Sequence, residues 1–135
     1  MNRREARETV FTLLYERNFQ KDEAPEVQYG QALELRELPD DIYMREVYLG
    51  VISNMDALDE RIVASSGGWS IARMSKITRT ILRLSVYEML YRTDIPFNIS
   101  INEAVELAKK FEDEKAPAFV NGILNAIATK EGLKN

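Results

Sequence analysis

The segment Lys76–Arg92 carries apolar residues on two adjoining faces of a helix. Ile77, Ile81 and Leu84 make one row, and Leu82, Val86 and Leu90 make a second. A helix with one apolar stripe can lie on a domain surface, but one with two must be covered from several sides. This segment therefore belongs at the centre of a helical domain, and the rest of the chain must supply its cover. Helical spacing indeed runs throughout. With only 6 glycines and 4 prolines there is little to interrupt it, and no long stretch alternates apolar with polar residues.

The covering helices follow from the same spacing. Arg3–Gln20 places Ala6, Val10, Leu13 and Leu14 on one face. Pro25 suits the first turn of a second helix, which extends to about Leu38. Asp40-Asp41 then opens a third, running through Val51, Met55 and Ile62 to about Ser65 without a visible stop. Ser66-Gly67-Gly68 ends it and divides a helical group in residues 1–66 from another in 67–135. Trp69–Met74 forms a short helical turn. Ser100-Ile101-Asn102-Glu103 has capping-box spacing, which predicts a helix from Ser100 to Phe111. Ala118–Lys130 closes the chain with Phe119, Ile123 and Ile127 in one stripe. The expectation is a single all-α domain of six or seven helices in two packed groups.

Composition removes whole classes of chemistry. The absence of cysteine and histidine excludes thiolate nucleophiles, disulfides and serine–histidine catalysis. No apolar run approaches the roughly 20 residues of a membrane span, and the charged start lacks a signal-peptide core. Asp40-Asp41 and Glu112-Asp113-Glu114 read as a helix start and a solvated link, because adjacent helical residues point apart and no third ligand is spaced to help. Gly67-Gly68 lacks the lysine of a phosphate loop. The expected protein is soluble, cytoplasmic and non-enzymatic, with no cofactor and no metal site.

Charge is segregated. The net charge is −4, yet residues 21–63 hold eleven acids against four bases, and residues 64–93 hold five bases against one acid. Arg3, Arg4 and Arg7 share about 100° of the first helix with Phe11. Arginines at a helix start oppose the helix dipole, so phosphate is the natural counterpart, a solvated terminus being the alternative. Tyr15 on the adjoining face either stacks an unpaired base or packs in the core. Lys76, Arg79 and Arg83 form a second basic stripe, in which Arg83 either meets nucleic acid or pairs with an internal acid.

Four ordered blocks also carry a resemblance. Arg3-Arg4-Glu5-Ala6-Arg7-Glu8 with Leu13-Leu14-Tyr15, then Ile81–Leu90, then Asp94-Ile95-Pro96 with Ile101–Phe111, then Phe119–Leu124 are similar to the NusB family of transcription antitermination factors. The resemblance implies two helical groups packed together and binding of the single-stranded boxA element of ribosomal RNA leader transcripts. It further implies the ribosomal protein NusE as protein partner, within the RNA polymerase antitermination complex. By position, the RNA contacts would be Arg3, Arg4, Arg7, Tyr15, Lys115 and Phe119, Phe119 having core packing as its alternative. The competing readings are a helical protein-interaction adaptor and a stand-alone relative of the NusB-like domain of RNA methyltransferases. Against the latter, 135 residues are expected to leave no room for a catalytic domain.

Overall fold

The computed structural model describes residues 1–134 and contains seven α-helices, with no strand among those residues. In chain order these are α1 (Arg3–Arg17), α2 (Pro25–Arg36), α3 (Ile42–Ser53), α4 (Met55–Ala64), α5 (Lys76–Tyr91), α6 (Phe97–Phe111) and α7 (Ala116–Lys130), with a 3₁₀ turn at Ile71–Arg73 before α5. Helix α5 is the axis of the molecule. It packs against α1, α3, α4, α6 and α7, and its Ile81, Leu82, Leu84 and Val86 are fully enclosed. Helix α2 is peripheral, resting on α3 through Tyr29 and Tyr48, whose rings lie 5.4 Å apart.

Local chemistry sets where several helices start. Asn2 Oδ1 accepts from the Glu5 amide at 2.8 Å, and Glu5 Oε1 accepts in return from the Asn2 amide at 2.9 Å. This capping box satisfies two donors at the start of α1 and explains an acid among the arginines. Asp41 and Ser75 cap α3 and α5 by accepting from Met44 and Thr78.

Two expectations are corrected. The long third helix is two helices, interrupted at Asn54, where the backbone leaves helical geometry (φ −111°, ψ 16°). The Asn54 side chain and the Ser53 hydroxyl both donate to the Gly50 carbonyl, at 2.8 and 3.3 Å. Side chains that compete locally for backbone groups favour helix ends. The second correction concerns Ser100, which is no cap. Helix α6 opens one turn earlier at Phe97, directly after Pro96, with the Ile99 and Ser100 amides both donating to the Pro96 carbonyl. Ser100 is thus inside the helix and buried, and Glu103 is free for other contacts. The buried side chain of Ile95 anchors this entry.

Candidate nucleic-acid interface

The capping box leaves Arg3 and Arg4 projecting from the first turn of α1. Arg4 is 73% exposed, and its Nε and Nη2 donate to the two carboxylate oxygens of Glu103 on α6, at 3.0 and 2.6 Å. Those hydrogen bonds hold the Glu103 carboxyl below its ordinary pKa, against the opposing effect of partial burial. The Arg3 guanidinium lies over the Tyr43 ring, 4.4 Å from its centroid.

Arg7 does not join them, which corrects its expected place in the phosphate-binding group. It is only 5% exposed, with Nε and Nη2 donating to Glu88 on α5 at 2.8 and 3.2 Å and Nη1 to Glu103 at 3.3 Å. Burial works against its charge, but the hydrogen bonds and attraction of Glu88 outweigh it and leave the guanidinium pKa raised. Glu88 is itself buried, and also accepts from the Tyr43 hydroxyl and, at 2.8 Å, from Ser100 Oγ. The carboxylate thus gathers donors from α1, α3 and α6, as a buried charge must if it is to be tolerated.

This arrangement turns Ser100 into a test. Ser100→Ala removes a hydrogen bond to a charged group and should cost about 1.5–3 kcal/mol. Ser100→Asp, which a capping role would tolerate, should cost more, because it brings a second carboxylate against Glu88. Denaturant midpoints of the two variants check this ordering, and Asp above Ala would restore the capping role.

An aromatic row runs from Phe111 on α6 along and past α1. Phe111 and Phe11 lie 5.1 Å apart, Phe11 stacks with half-buried Tyr15 at 6.4 Å, and Tyr15 meets Phe19 edge-on at 5.3 Å. Phe19 is 63% exposed with the Lys76 ammonium 5.7 Å above its ring, and Lys110 sits similarly beside Phe111. Neither Phe19 nor Phe111 stood out in the sequence, although Phe11, Tyr15 and Phe19 fall at helical spacing. Along the axis of α1, Arg4 and Tyr15 are separated by about 16 Å.

Lys115 and Phe119 stand at the start of α7, where Asp113 Oδ1 accepts from the Lys115 and Ala116 amides at 3.0 and 3.2 Å. Lys115 is exposed, and Phe119 is half-buried edge-on to Trp69, centroids 5.7 Å apart, with the Arg73 guanidinium 4.9 Å from the Trp69 ring. These residues, with Met74 and Thr78, line an open cleft of about 420 Å³. Thr78 Oγ1 approaches Glu112 at 3.5 Å and so ties the start of α5, which carries Lys76, to this cleft. Arg83 lies elsewhere, paired through both Nε and Nη2 with Asp59 at 2.8 and 2.9 Å, which decides its two readings in favour of the internal acid.

The face therefore offers guanidinium groups at one end, flat apolar rings in the middle and a lysine-bordered aromatic cleft at the other. Among the described residues no cluster of three acids or other ligands could hold a metal, and no helix is long and apolar enough to cross a membrane.

The model of the NusB family matches residues 4–129. The chain is 46% identical over 130 residues to the transcription antitermination protein NusB of Ruminiclostridium cellulolyticum, covering 95% of this chain and 89% of that protein. It is 43% identical over 129 residues to the protein of the same name from Acetivibrio thermocellus, covering 94% and 88%. Among solved structures, T. maritima NusB superposes with a TM-score of 0.83 at 35% identity over 96% of this chain and 92% of that one. The antitermination factors NusB and NusE in complex with dsRNA include a chain that superposes with a TM-score of 0.83 at 28% identity, covering 95% of this chain and 96% of that one.

Proposed function

The chain belongs to the NusB family, and from that premise we propose that it acts in transcription antitermination by binding the single-stranded boxA element of ribosomal RNA leader transcripts together with the ribosomal protein NusE. It does so as a non-enzymatic component of the RNA polymerase antitermination complex. The observation that carries this reading is the pairing of exposed Arg3 and Arg4 with Tyr15 on α1 and with exposed Phe19 in the turn that follows it. Guanidinium groups suit phosphates, and exposed rings suit unpaired bases. The solved complex of NusB and NusE with dsRNA supports RNA and NusE as the partner classes. Lys115 and Phe119 extend the same face at the α7 end, with Phe119 and Trp69 offering a second place for a base.

A titration with a boxA-like single strand, with and without NusE, tests the reading. Arg4→Ala should weaken binding and lower the log–log salt slope by about 0.7, the share of one phosphate contact on a single strand. An Arg4→Ala variant with wild-type affinity and slope removes Arg4 from the interface. If the wild-type chain binds NusE but no RNA at any salt, the protein is a helical adaptor.

The rings also set a strand preference. Stacking on Tyr15 and Phe19 requires bases that are out of a duplex. Unlabelled single strand should therefore displace a bound probe at lower concentration than the same sequence annealed to its complement. Equal displacement by the duplex leaves only phosphate contacts and removes the stacking role.

A further inference from the structure

Resting on the RNA-binding reading above, we propose that the groove between α1 and α6 is a phosphodiester seat that already holds an anion of its own, the Glu103 carboxylate, and that RNA binds there by taking Arg4 from it. The groove has a volume of about 370 Å³, and its charged lining is Arg4, Glu8, Glu103, Glu106, Lys109 and Lys110, with buried Arg7 at its base. Each of its four cations has a carboxylate partner: Arg4 with Glu103, Arg7 with Glu88 and Glu103, Lys110 with Glu8 at 2.7 Å, and Lys109 with Glu106 at 3.7 Å. A phosphate entering this groove meets no unpaired cation among them.

Glu103 differs from the other two acids in a way that makes exchange favourable. Its side chain is 12% exposed, and its Oε1 also accepts from buried Arg7. When Arg4 swings away, Glu103 keeps a guanidinium behind it and is not left as an isolated, half-buried charge. Arg4, in contrast, leaves an ion pair in which its own side chain is open to water, a kind of pair that is weak. What Arg4 gives up at Glu103 is two hydrogen bonds from its Nε–Nη2 edge, and a phosphodiester presents two oxygens that the same edge can grip. The exchange is thus one fork for another, with the displaced carboxylate still compensated.

A double-mutant cycle with a boxA-like single strand tests the exchange, using the intact chain and the variants Arg4→Ala, Glu103→Gln and both together. Releasing Arg4 from Glu103 should tighten RNA binding about two- to fivefold, the range set by an exposed ion pair. With Ala at position 4, Glu103→Gln should change affinity by less than that, because there is no guanidinium left to release. A gain of equal size in both backgrounds would mean that Glu103 acts only through its distant charge, and overturns the exchange. Weaker binding by Glu103→Gln would mean that Glu103 holds Arg4 in place for RNA, and overturns it also. A second measurement leaves the carboxylate intact: in the wild-type chain the Arg4 Nε–H resonance should move when RNA is added while that of Arg7 stays. If the Arg4 resonance does not move, the ion pair persists in the complex and the proposal fails. Absence of RNA binding by the wild type defeats the functional reading itself, whereas wild-type binding that weakens in Arg4→Ala and ignores Glu103→Gln defeats the exchange alone.

Discussion

Arg7→Ala should unfold roughly 10–20 °C below the wild-type chain. The substitution deletes the guanidinium bonded to Glu88 and leaves that carboxylate enclosed, with the Tyr43 and Ser100 hydroxyls as its remaining side-chain donors among the described residues. Stranding a buried charge in this way costs about 3–5 kcal/mol, a large part of the roughly 5–15 kcal/mol that holds a domain together. Adding Glu88→Gln should recover part of the loss, because the carboxamide keeps an oxygen for the two hydroxyls and carries no charge. Thermal melts of the single and double variants check both statements. The RNA titration separates them from a binding role: at a temperature where Arg7→Ala is folded, its salt slope should match the wild type. Wild-type melting combined with a slope lowered by about 0.7 would make Arg7 a phosphate ligand after all.

Gly50→Ala should destabilise the chain, although the same change in an ordinary helix interior stabilises it by about 0.5–1 kcal/mol. Gly50 lies in α3 where the Tyr87 ring of α5 crosses it, and a Cβ built there would fall 2.5 Å from Tyr87 Cε1 and closer still to the ring end. The ring has little room to retreat, being buried and stacked on Tyr91 with centroids 5.0 Å apart. Overpacking of this kind costs about 1–3 kcal/mol, which exceeds the helix-propensity gain. Gly50→Val should lose more. The decisive comparison is Gly50→Ala made in a Tyr87→Ala background, where the clash is gone and the sign should reverse. Denaturant midpoints read this directly, and an unchanged sign would mean that the Tyr87 ring is not the obstacle.

The helices and the central place of α5 were legible because apolar spacing is a local property, and Ile77–Leu90 displays two rows whatever surrounds it. Glu88 and Arg7 show where such reading stops. A helical wheel puts Arg7 beside Arg3 and Arg4, but its partner lies 81 residues further on and no local pattern joins them. Ser100 and Glu103 fit a capping pattern in sequence, yet Pro96 allows the helix to begin one turn earlier and so turns both side chains to tertiary contacts. Asn54 broke the long helix through bonds to its own backbone, a signal available in the sequence but outweighed there by the unbroken apolar spacing. Of the candidate interface, Arg3, Arg4 and Lys115 are on the surface as expected. Phe19 and Trp69 are not among the expected contacts because each sits at an element boundary, where periodicity has least to say.

The convergence of α1, α3 and α6 on Glu88 also bears on how the chain assembles during its synthesis. Arg7 and Tyr43 leave the ribosome before Glu88, and Ser100 leaves after it. At roughly 5–20 residues per second, the 81 residues between Arg7 and Glu88 take about 4–16 s to make. During that interval α1 carries a cation with no acid to receive it, so docking that α1 face would strand a charge. The expected result is that the inner face of α1 docks only once α5 has arrived, with the Ser100 contact to Glu88 made last. A chain arrested before residue 88 should therefore leave α1 accessible to protease, and release past residue 100 should close it.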